Sequence, residues 1–371
     1  MNRSSNTHHQ RDTAAIDLFC GAGGLTRGLL DAGIPVIAGY DIDAAARFAY
    51  EHNNSGSRFI HKSVADLGSD ELRDAFGPAS LRVLVGCAPC QPFSKYTQGQ
   101  NTQADAKWAL LHEFGRLVKA LLPEIVSMEN VLELRRHGIF QDFISTLSGI
   151  GYHVSHQEAY CPDYGIPQQR RRLVLLASRL GEIALEKPGD LAGEETVRHA
   201  IAHLPMLDAG ETSEDRLHRA SRLSPLNQQR IRASKPGGCW RDWPTELVAE
   251  CHRTEMGKNY PSVYGRMEWD APAPTITTQF FGYGNGRFGH PEQDRAISLR
   301  EGALLQTFPQ DYEFIPHDHP VVFSQVGKMI GNAVPVRLGK AIGLSIRKHL
   351  QQHPSLESSC KTNSSNPSRR T

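Results

Sequence analysis

Short apolar runs alternate with helical patterns over the first half of the chain. The runs are rich in leucine and β-branched residues, as is typical of buried strands in a parallel sheet. After the first run, Leu25 and Leu29 recur at helical spacing. The pattern predicts an α/β fold with a Rossmann-like, doubly wound sheet that extends to about Ser178. The clearest strand patterns are Ala14–Phe19, Pro35–Gly39, Leu81–Val85 and Arg172–Ala177.

The pattern changes near Arg179, beyond which prolines interrupt the apolar stretches. We expect a smaller, loop-rich second domain over residues 179–320. Within it, residues 298–306 predict an amphipathic helix that Ser298 caps, with Glu301 as the reciprocal partner three residues later.

Residues 321–350 predict a segment that returns to the first domain, which begins at about residue 14 and is therefore discontinuous. The chain starts with a polar stretch, 1–13, and the stretch 351–371 is rich in Ser, Asn and Pro. Such compositions bury little apolar surface, so we expect both stretches to be disordered.

Net charge, cysteine count and the length of the apolar runs limit the class of protein, but they do not indicate an activity. The chain has 371 residues and a net charge of +1, so a surface that binds nucleic acid must come from local segregation of charge. Seven cysteines without regular spacing favour a reducing compartment over a disulfide framework. No apolar run approaches the ~20 residues of a membrane span, and we expect a cytoplasmic, nucleoid-associated protein.

The sequence GCAPCQPFS, residues 86–94, places a thiol directly after an apolar strand. Pro89 and Pro92 stop both helix and strand around Cys90, so the turn is rigid. Ligands of open α/β sheets bind at the carboxyl ends of the strands, where a cysteine can act as a nucleophile once it is ionised. Taken alone, a single cysteine is more often simple packing.

A second strand-turn-helix unit lies at the start of the chain. Its turn, CGAGG at residues 20–24, allows a ligand to approach the backbone closely. Asp41 follows roughly 20 residues later, at the spacing of an acid that binds ribose hydroxyls. The pattern indicates a nucleotide-like ligand, although it lacks the full dinucleotide fingerprint.

Five motifs, in this order, resemble those of the DNA (cytosine-5)-methyltransferases. The similarity covers about Ala14 to Leu350. It rests on DLFCGAGGL at 17–25, PCQPFS at 89–94, ENV at 129–131, QQRRR at 168–172 and GNAV at 331–334.

The resemblance implies S-adenosylmethionine as methyl donor, S-adenosylhomocysteine as product and cytosine in double-stranded DNA as acceptor. Asp41 would bind the ribose, and either Ser63 or Asp66 would meet the adenine. The remaining cofactor residues implied are Phe19, Gly21, Gly23, Gly24, Ile42, Pro89, Leu110, Asn332, Ala333 and Val334.

The resemblance also implies the catalytic roles. Cys90 would attack C6 of a cytosine extruded from the duplex, which activates C5 toward the methyl group. Glu129 would share a proton with the N3 and N4 edge of the base. Arg172 and, less directly, Arg170 would stabilise the developing charge.

By the same resemblance the second domain would read the DNA sequence, and its basic residues, interleaved with aromatic ones, could neutralise phosphates. The DNA-contacting residues expected are Gln91, Ser94, Gln168, Thr275, Ile276, Arg266 and Arg287. Cys239, Cys251 and His252 lack the paired spacing of zinc ligands, so we assign no metal. The family further implies a monomer of a restriction-modification system, with a cognate endonuclease that acts on the same site.

Three alternatives remain open from the sequence. The tRNA-methylating branch of the same family shares the motifs, although a recognition region of this size favours DNA. The Cys87-x-x-Cys90 pair could mark a thiol-disulfide oxidoreductase, although such motifs usually open a helix. A DNA-binding protein that has lost catalysis would not need Cys90 and Glu129.

Overall fold

The computed structural model describes residues 13–89, 102–187, 189 and 195–353, with the backbone alone for 102–109. The chain forms one seven-stranded sheet in the order β3-β2-β1-β4-β5-β7-β6. All neighbours pair in parallel except β7, which runs antiparallel to both β5 and β6. The strands are β1 Thr13–Leu18, β2 Val36–Asp41, β3 Arg58–His61, β4 Leu81–Gly86, β5 Ile125–Asn130, β6 His153–Tyr160 and β7 Arg171–Ser178.

Helices cover both faces of this sheet, as the alternating pattern predicts. One layer contains Phe114 of α4 and Phe143 of α5, packed on Leu84 and Val126. The other contains Leu29 of α1 and Leu338 of α11, packed on Val83 and Val174. The helices are α1 Gly24–Asp31, α2 Arg47–Asn53, α3 Ser69–Phe76, α4 Thr102–Leu121, α5 Gly138–Gly149, α6 Val197–Ile201, α7 Pro225–Ala233, α8 Glu250–Arg253, α9 Leu299–Leu305, α10 Phe323–Asn332 and α11 Val336–Gln352.

The last helix packs directly on the first one. A Cβ atom on Gly28 of α1 would lie 2.4 Å from the carbonyl oxygen of Val336, so the two helices meet at backbone distance. A Cβ atom on Gly343 of α11 would likewise lie 2.6 Å from the Cβ of Ala32. The segment predicted to return to the first domain therefore does so through the contact of α11 with α1.

The ends of the described chain differ slightly from the predicted boundaries. Thr13 already belongs to β1, and α11 continues through Gln352. Thr13, Gln351 and Gln352 are thus ordered parts of the fold, which corrects their assignment to disordered ends. The rest of those two stretches, 1–12 and 354–371, lies outside the described residues.

The region after β7 is built mainly from turns and short helices. Its small core joins Ile231, Trp240, Trp243 and Tyr283. Helix α9 is capped as predicted: the Ser298 hydroxyl accepts from the amide of Glu301, whose carboxylate accepts from the amide of Ser298. However, Leu299, Ala303 and Leu305 of α9 belong to the same hydrophobic cluster as Cys20, Ala22 and Tyr50 of the first half. The region after β7 and the glycine turn at residues 20–24 therefore share one hydrophobic cluster.

Candidate active site

The turn after β1 uses left-handed backbone conformations. The angle φ is +60° at Phe19, +49° at Gly21 and +88° at Gly23. Glycine adopts such values without steric cost, whereas a residue such as Phe19 does so only when its surroundings hold it there. The turn leads into α1 at Gly24, where a Cβ atom would lie 2.4 Å from the carbonyl oxygen of Val334. The chain before α11 therefore lies against the turn.

Asp41, the last residue of β2, is held by two backbone donors. The amide of Gly21 donates to Oδ2 at 2.9 Å, and the amide of Asp43 donates to Oδ1 at 2.8 Å. Since a carboxylate offers about four lone-pair sites, acceptor capacity remains for a ligand hydroxyl. The acid predicted from its spacing therefore lies beside the glycine turn.

A cavity of about 400 Å³ opens at the carboxyl ends of β1, β2 and β4. This volume lies within the ~300–1,000 Å³ range of small-molecule sites. Its wall is mostly apolar, with polar groups at the turn and the rim. Eleven predicted cofactor residues contribute to the wall: Phe19, Gly21, Gly24, Asp41, Ile42, Ser63, Pro89, Leu110, Asn332, Ala333 and Val334.

Two predicted cofactor residues do not line this cavity. Gly23 precedes α1 and backs onto the core, where a Cβ atom would lie 2.6 Å from Nδ2 of Asn54. Asp66 is exposed and lies in the short helical turn that Ser63 caps. Between the two candidates for the adenine contact, only Ser63 is therefore in the wall.

Several residues of the wall were not predicted. Asp17 lies at the base of the cavity, 1% exposed, and accepts a hydrogen bond from Oγ1 of Thr26 at 2.8 Å. Burial raises the pKa of Asp17 to about 7, although the Thr26 bond opposes the change. Lys328 closes the rim through an ion pair with Asp43 at 2.8 Å. For Asp17, its position inside the DLFCGAGG motif was a signal in the sequence that it belongs to the wall. For Lys328 no such signal existed, because it comes from a distant part of the chain.

Glu129 and Arg172 form a buried pair next to this cavity. Oε1 of Glu129 lies 3.0 Å from Nε of Arg172, and the two side chains are 2% and 16% exposed. An acid at the end of a strand often caps the following helix, but Glu129 lies within β5 and does not cap one. Its other oxygen, Oε2, accepts from Sγ of Cys87 at 2.8 Å. Cys87 also lines the cavity and thereby joins the two sites.

Arg170 supports this region from within the core. Its guanidinium donates to the carbonyl oxygens of Ile276 at 3.1 Å and Ala333 at 3.3 Å. Burial, together with the charge of Arg172, lowers its pKa to about 10. At 3% exposure it connects Ile276, in the region after β7, to Ala333 of the cavity wall. The catalytic role of Arg170 stays a prediction.

Gln168 and Ile276, both predicted to contact DNA, are fully buried. Nε2 of Gln168 donates to Oε1 of Gln306 at 2.8 Å, while its Oε1 accepts from the amide of Ile276 at 2.9 Å. These residues connect the two halves of the molecule, which corrects their assignment to the DNA surface. Thr275 is half-buried and donates to the carbonyl oxygen of Gln169 at 3.1 Å, and its contact with DNA stays a prediction.

Arg266 is also misassigned as a DNA-reading residue. It is 5% exposed and donates to the carbonyl oxygens of Ile231, Ser234, His290 and Gln293, as well as to Asp294. A buried guanidinium with this many acceptors holds loops together. Arg287 is half-buried and donates to the carbonyl oxygen of Gly238 at 2.7 Å, and its predicted DNA contact stays untested.

Cys90, Gln91 and Ser94 lie outside the described residues. Within the described ranges, no group of three His, Cys, Asp or Glu side chains could hold a metal ion. His252 stacks on Trp240, with ring centroids 4.6 Å apart. Across the same residues, none of the helices is both long and apolar enough for a bilayer.

Comparisons with known proteins agree with the motif order. The family model of the C-5 cytosine-specific DNA methylase matches residues 13–348. Type II methylase M.HgiDII of Herpetosiphon aurantiacus is 53% identical over 343 residues, which cover 91% of this chain and 96% of that protein. Type II methyltransferase M.PspPI of a Psychrobacter strain is 31% identical, with 93% and 81% covered.

Solved structures share the fold. A protein described as a DNA modification methyltransferase encoded within an Escherichia coli prophage superimposes with a TM-score of 0.69 at 24% identity, with 91% of this chain and 99% of that chain covered. The Entamoeba histolytica methyltransferase EhMeth gives a TM-score of 0.62 at 14% identity, with 92% and 99% covered. With the fold, the motif order and a match over 91% of the chain in agreement, this chain belongs to the C-5 cytosine-specific DNA methylase family.

Proposed function

We propose that this protein transfers a methyl group from S-adenosylmethionine to C5 of a cytosine within a short double-stranded DNA sequence, through a covalent bond between Cys90 and C6. The observation that supports this best is the position of Cys87. It lies in the cavity wall and also bonds Glu129, so a ligand cavity and a buried acid adjoin each other. Cys90 follows three residues later in the same segment.

The described residues fit the proposed cofactor. Asp41 offers carboxylate oxygens to ribose hydroxyls, while Phe19, Ile42 and Leu110 offer apolar surface to the rest of the nucleoside. Gly21 and Gly24 bring backbone close to the ligand without a Cβ atom in the way. When bound, S-adenosylmethionine supplies an electrophilic methyl group on a sulfonium centre.

The proposed chemistry assigns one task to each polar residue. The Cys90 thiolate adds to C6 of cytosine, and electron density moves toward C5 and N3. Glu129 shares its proton with N3, which limits the negative charge on the ring. Arg172 keeps Glu129 oriented and stabilises the charge that develops beside it. Once C5 carries the methyl group, a water molecule takes the C5 proton, the C5–C6 double bond forms again and the C6–S bond breaks, which releases the Cys90 thiolate from the methylated base.

The target base must leave the duplex to meet these groups, at a cost of a few kcal/mol in stacking and pairing. We assign sequence reading to the recognition region after β7. Its exposed cations include Arg241, Arg253 and Lys258. M.HgiDII is a Type II methylase, and by analogy we propose a partner endonuclease that acts on the same DNA sequence.

The alternatives have less support. Methylation of tRNA is not favoured, because the similarity to Type II methylases extends over 91% of the chain. A thiol-disulfide oxidoreductase would leave the cofactor cavity and the buried Glu129–Arg172 pair unexplained.

The test uses the purified full-length protein, tritiated S-adenosylmethionine and unmethylated genomic DNA made by amplification. We expect label in DNA, and bisulfite sequencing should locate it at one cytosine of a short recurring sequence. Total tRNA serves as the competing acceptor. Label in tRNA and none in DNA would contradict the proposal.

Two further measurements test the covalent step. Cys90→Ser should retain cofactor and DNA binding but transfer no methyl groups. DNA that contains 5-fluorocytosine at the target should become covalently trapped on the native enzyme, since the fluorine cannot leave as a proton does. Normal turnover by Cys90→Ser would exclude Cys90 as the nucleophile.

A further inference from the structure

Cys87 precedes the proposed nucleophile by three residues and is not used by the mechanism above. Its thiol lies 2.8 Å from Oε2 of Glu129, while Arg172 lies at Oε1 of the same carboxylate. We propose that Cys87 is a positioning residue, which holds the Glu129 carboxylate by a hydrogen bond while that group exchanges its proton with the base. This inference rests on the proposed function.

The sheet itself brings the two side chains together. Strands β4 and β5 pair in parallel, with Gly86 opposite Met128, so Cys87 and Glu129 are the next pair along. Side chains at paired positions of neighbouring strands lie on the same face of a sheet. The amide of Cys87 donates to the carbonyl oxygen of Leu18 at 3.3 Å and continues the pairing with β1. The contact therefore follows from strand register.

A second bond holds the segment after Cys87. Nδ2 of Asn130 donates to the carbonyl oxygen of Ala88 at 3.1 Å, and Asn130 is 4% exposed. Glu129 and Asn130 are thus both bonded to the segment that leads to Cys90. The two segments are therefore bonded to each other twice. The Asn130 amide bonds the backbone of Ala88, and the Cys87 thiol bonds the carboxylate of Glu129.

A hydrogen-bond donor without charge, such as the Cys87 thiol, suits the surroundings of Glu129. Among the residues that the structure describes, the charged and titratable groups that interact with it are Arg172, the buried Arg170, Cys161 and Cys87. Burial raises the pKa of the Cys161 thiol to about 11, so it is neutral in the physiological range. A thiol is a weak donor, which supports the carboxylate form without adding a charge that would oppose protonation.

The consequence is a specific kinetic signature. Loss of the thiol donor makes the ionised form of Glu129 less favourable, so the proton stays on the acid to higher pH. From the usual strength of a single hydrogen bond, Cys87→Ala should move the high-pH limb of the single-turnover rate upward by roughly half a pH unit to one unit. The maximal rate should fall about 3- to 10-fold, because the acid is held less well.

The test compares Cys87→Ala, Cys87→Ser and wild type in single-turnover methyl transfer across pH. The serine hydroxyl can donate to Glu129, so Cys87→Ser should restore both the rate and the pH limb. The dissociation constants of S-adenosylmethionine and S-adenosylhomocysteine should change less than about 2-fold. Cys251→Ala removes an exposed thiol of α8 and should keep the wild-type pH profile.

An unshifted pH profile, no rescue by serine, or a loss confined to cofactor affinity would each overturn the proposal. If wild type itself methylates no DNA, the proposed function fails instead. If Cys87→Ala does not fold, infrared spectroscopy can still test for the hydrogen bond between Cys87 and Glu129. The S–H stretch of Cys87, identified by its absence in Cys87→Ser, should move to higher frequency in Glu129→Gln. An unmoved band would show that no such bond exists.

Discussion

Nε of Arg172 and Oε1 of Glu129 lie 3.0 Å apart, in a pair that is almost removed from solvent. Arg172 lies in β7, which runs antiparallel to β5 and so brings the QQRRR motif beside the ENV motif. Arg171, one position earlier, has a 55% exposed side chain that pairs with Glu158. Adjacent arginines thus have different environments because strand residues alternate between faces.

We expect Arg172→Ala to reduce the rate of methyl transfer by about 10²–10³-fold, as for other donors that stabilise developing charge. Arg172→Lys keeps the charge but not the planar guanidinium, and it should recover only part of the rate. The measurement is single-turnover incorporation of tritiated methyl groups into DNA. Arg171→Ala is the matched control and should remain active, because surface ion pairs contribute little. Equal losses in both variants would contradict the assigned role of Arg172.

Arg266 should be required for stability rather than for direct DNA contact. Arg266→Ala removes a buried guanidinium and takes one donor each from the carbonyl oxygens of Ser234 and His290, while Asp294 keeps its bond from Arg232. We expect a loss of about 2–4 kcal/mol in the free energy of unfolding, because each buried carbonyl oxygen that loses its donor costs about 1–3 kcal/mol. Arg232→Ala, whose side chain is 66% exposed and pairs with the same Asp294, should stay within about 0.5 kcal/mol of wild type. Urea denaturation measures both, and a stable Arg266→Ala with weakened DNA binding would restore the original prediction.

Asp17 should make stability fall as pH rises. The pKa of Asp17 is raised by burial from 3.8 to about 7, so between these values the folded state binds more protons than the unfolded state. The free energy of unfolding therefore decreases from about pH 4 to about pH 7 through this group and is unaffected by it above that window. Asp17→Asn keeps an acceptor for Thr26 and has no proton to lose.

Relative to wild type, we expect Asp17→Asn to gain on the order of 2–4 kcal/mol in unfolding free energy across this window. Denaturant titrations of both proteins at several pH values provide the comparison. Parallel pH dependence in the two would mean that Asp17 does not titrate in this range.

Gly24→Ala should displace residues of the cavity wall and so weaken cofactor binding. The added Cβ atom would lie 2.4 Å from the carbonyl oxygen of Val334, a backbone atom that cannot turn aside. Displacing Val334 also moves Asn332 and Ala333 of the cavity wall, so binding of S-adenosylhomocysteine should weaken at least 10-fold. Gly149→Ala, at a helical glycine with no atom within 4 Å of the new Cβ, is the control and should bind normally. Calorimetric titration measures both, and normal binding by Gly24→Ala would exclude this contact.

Local patterns in the sequence were sufficient for the elements that position the site. The glycine turn, the acid at the end of β2 and the capping box of Ser298 and Glu301 each depend on residues close in the chain. Backbone conformation and short-range hydrogen bonds determine such features, so their residue types indicate them directly. Motif order added the family, and the resemblance added eleven residues that line the cavity. Gly23 and Asp66 were predicted but do not line it, while Asp17 and Lys328 line it and were not predicted.

Only the tertiary structure decided which polar residues are buried. Arg266 and Gln168 look like surface residues in the sequence, yet each bonds to segments far away in the chain. The partner of Cys87 is likewise set by the register of β4 against β5. The physical reason is that desolvation and hydrogen-bond partnership depend on which distant segments meet, and no local pattern contains that information.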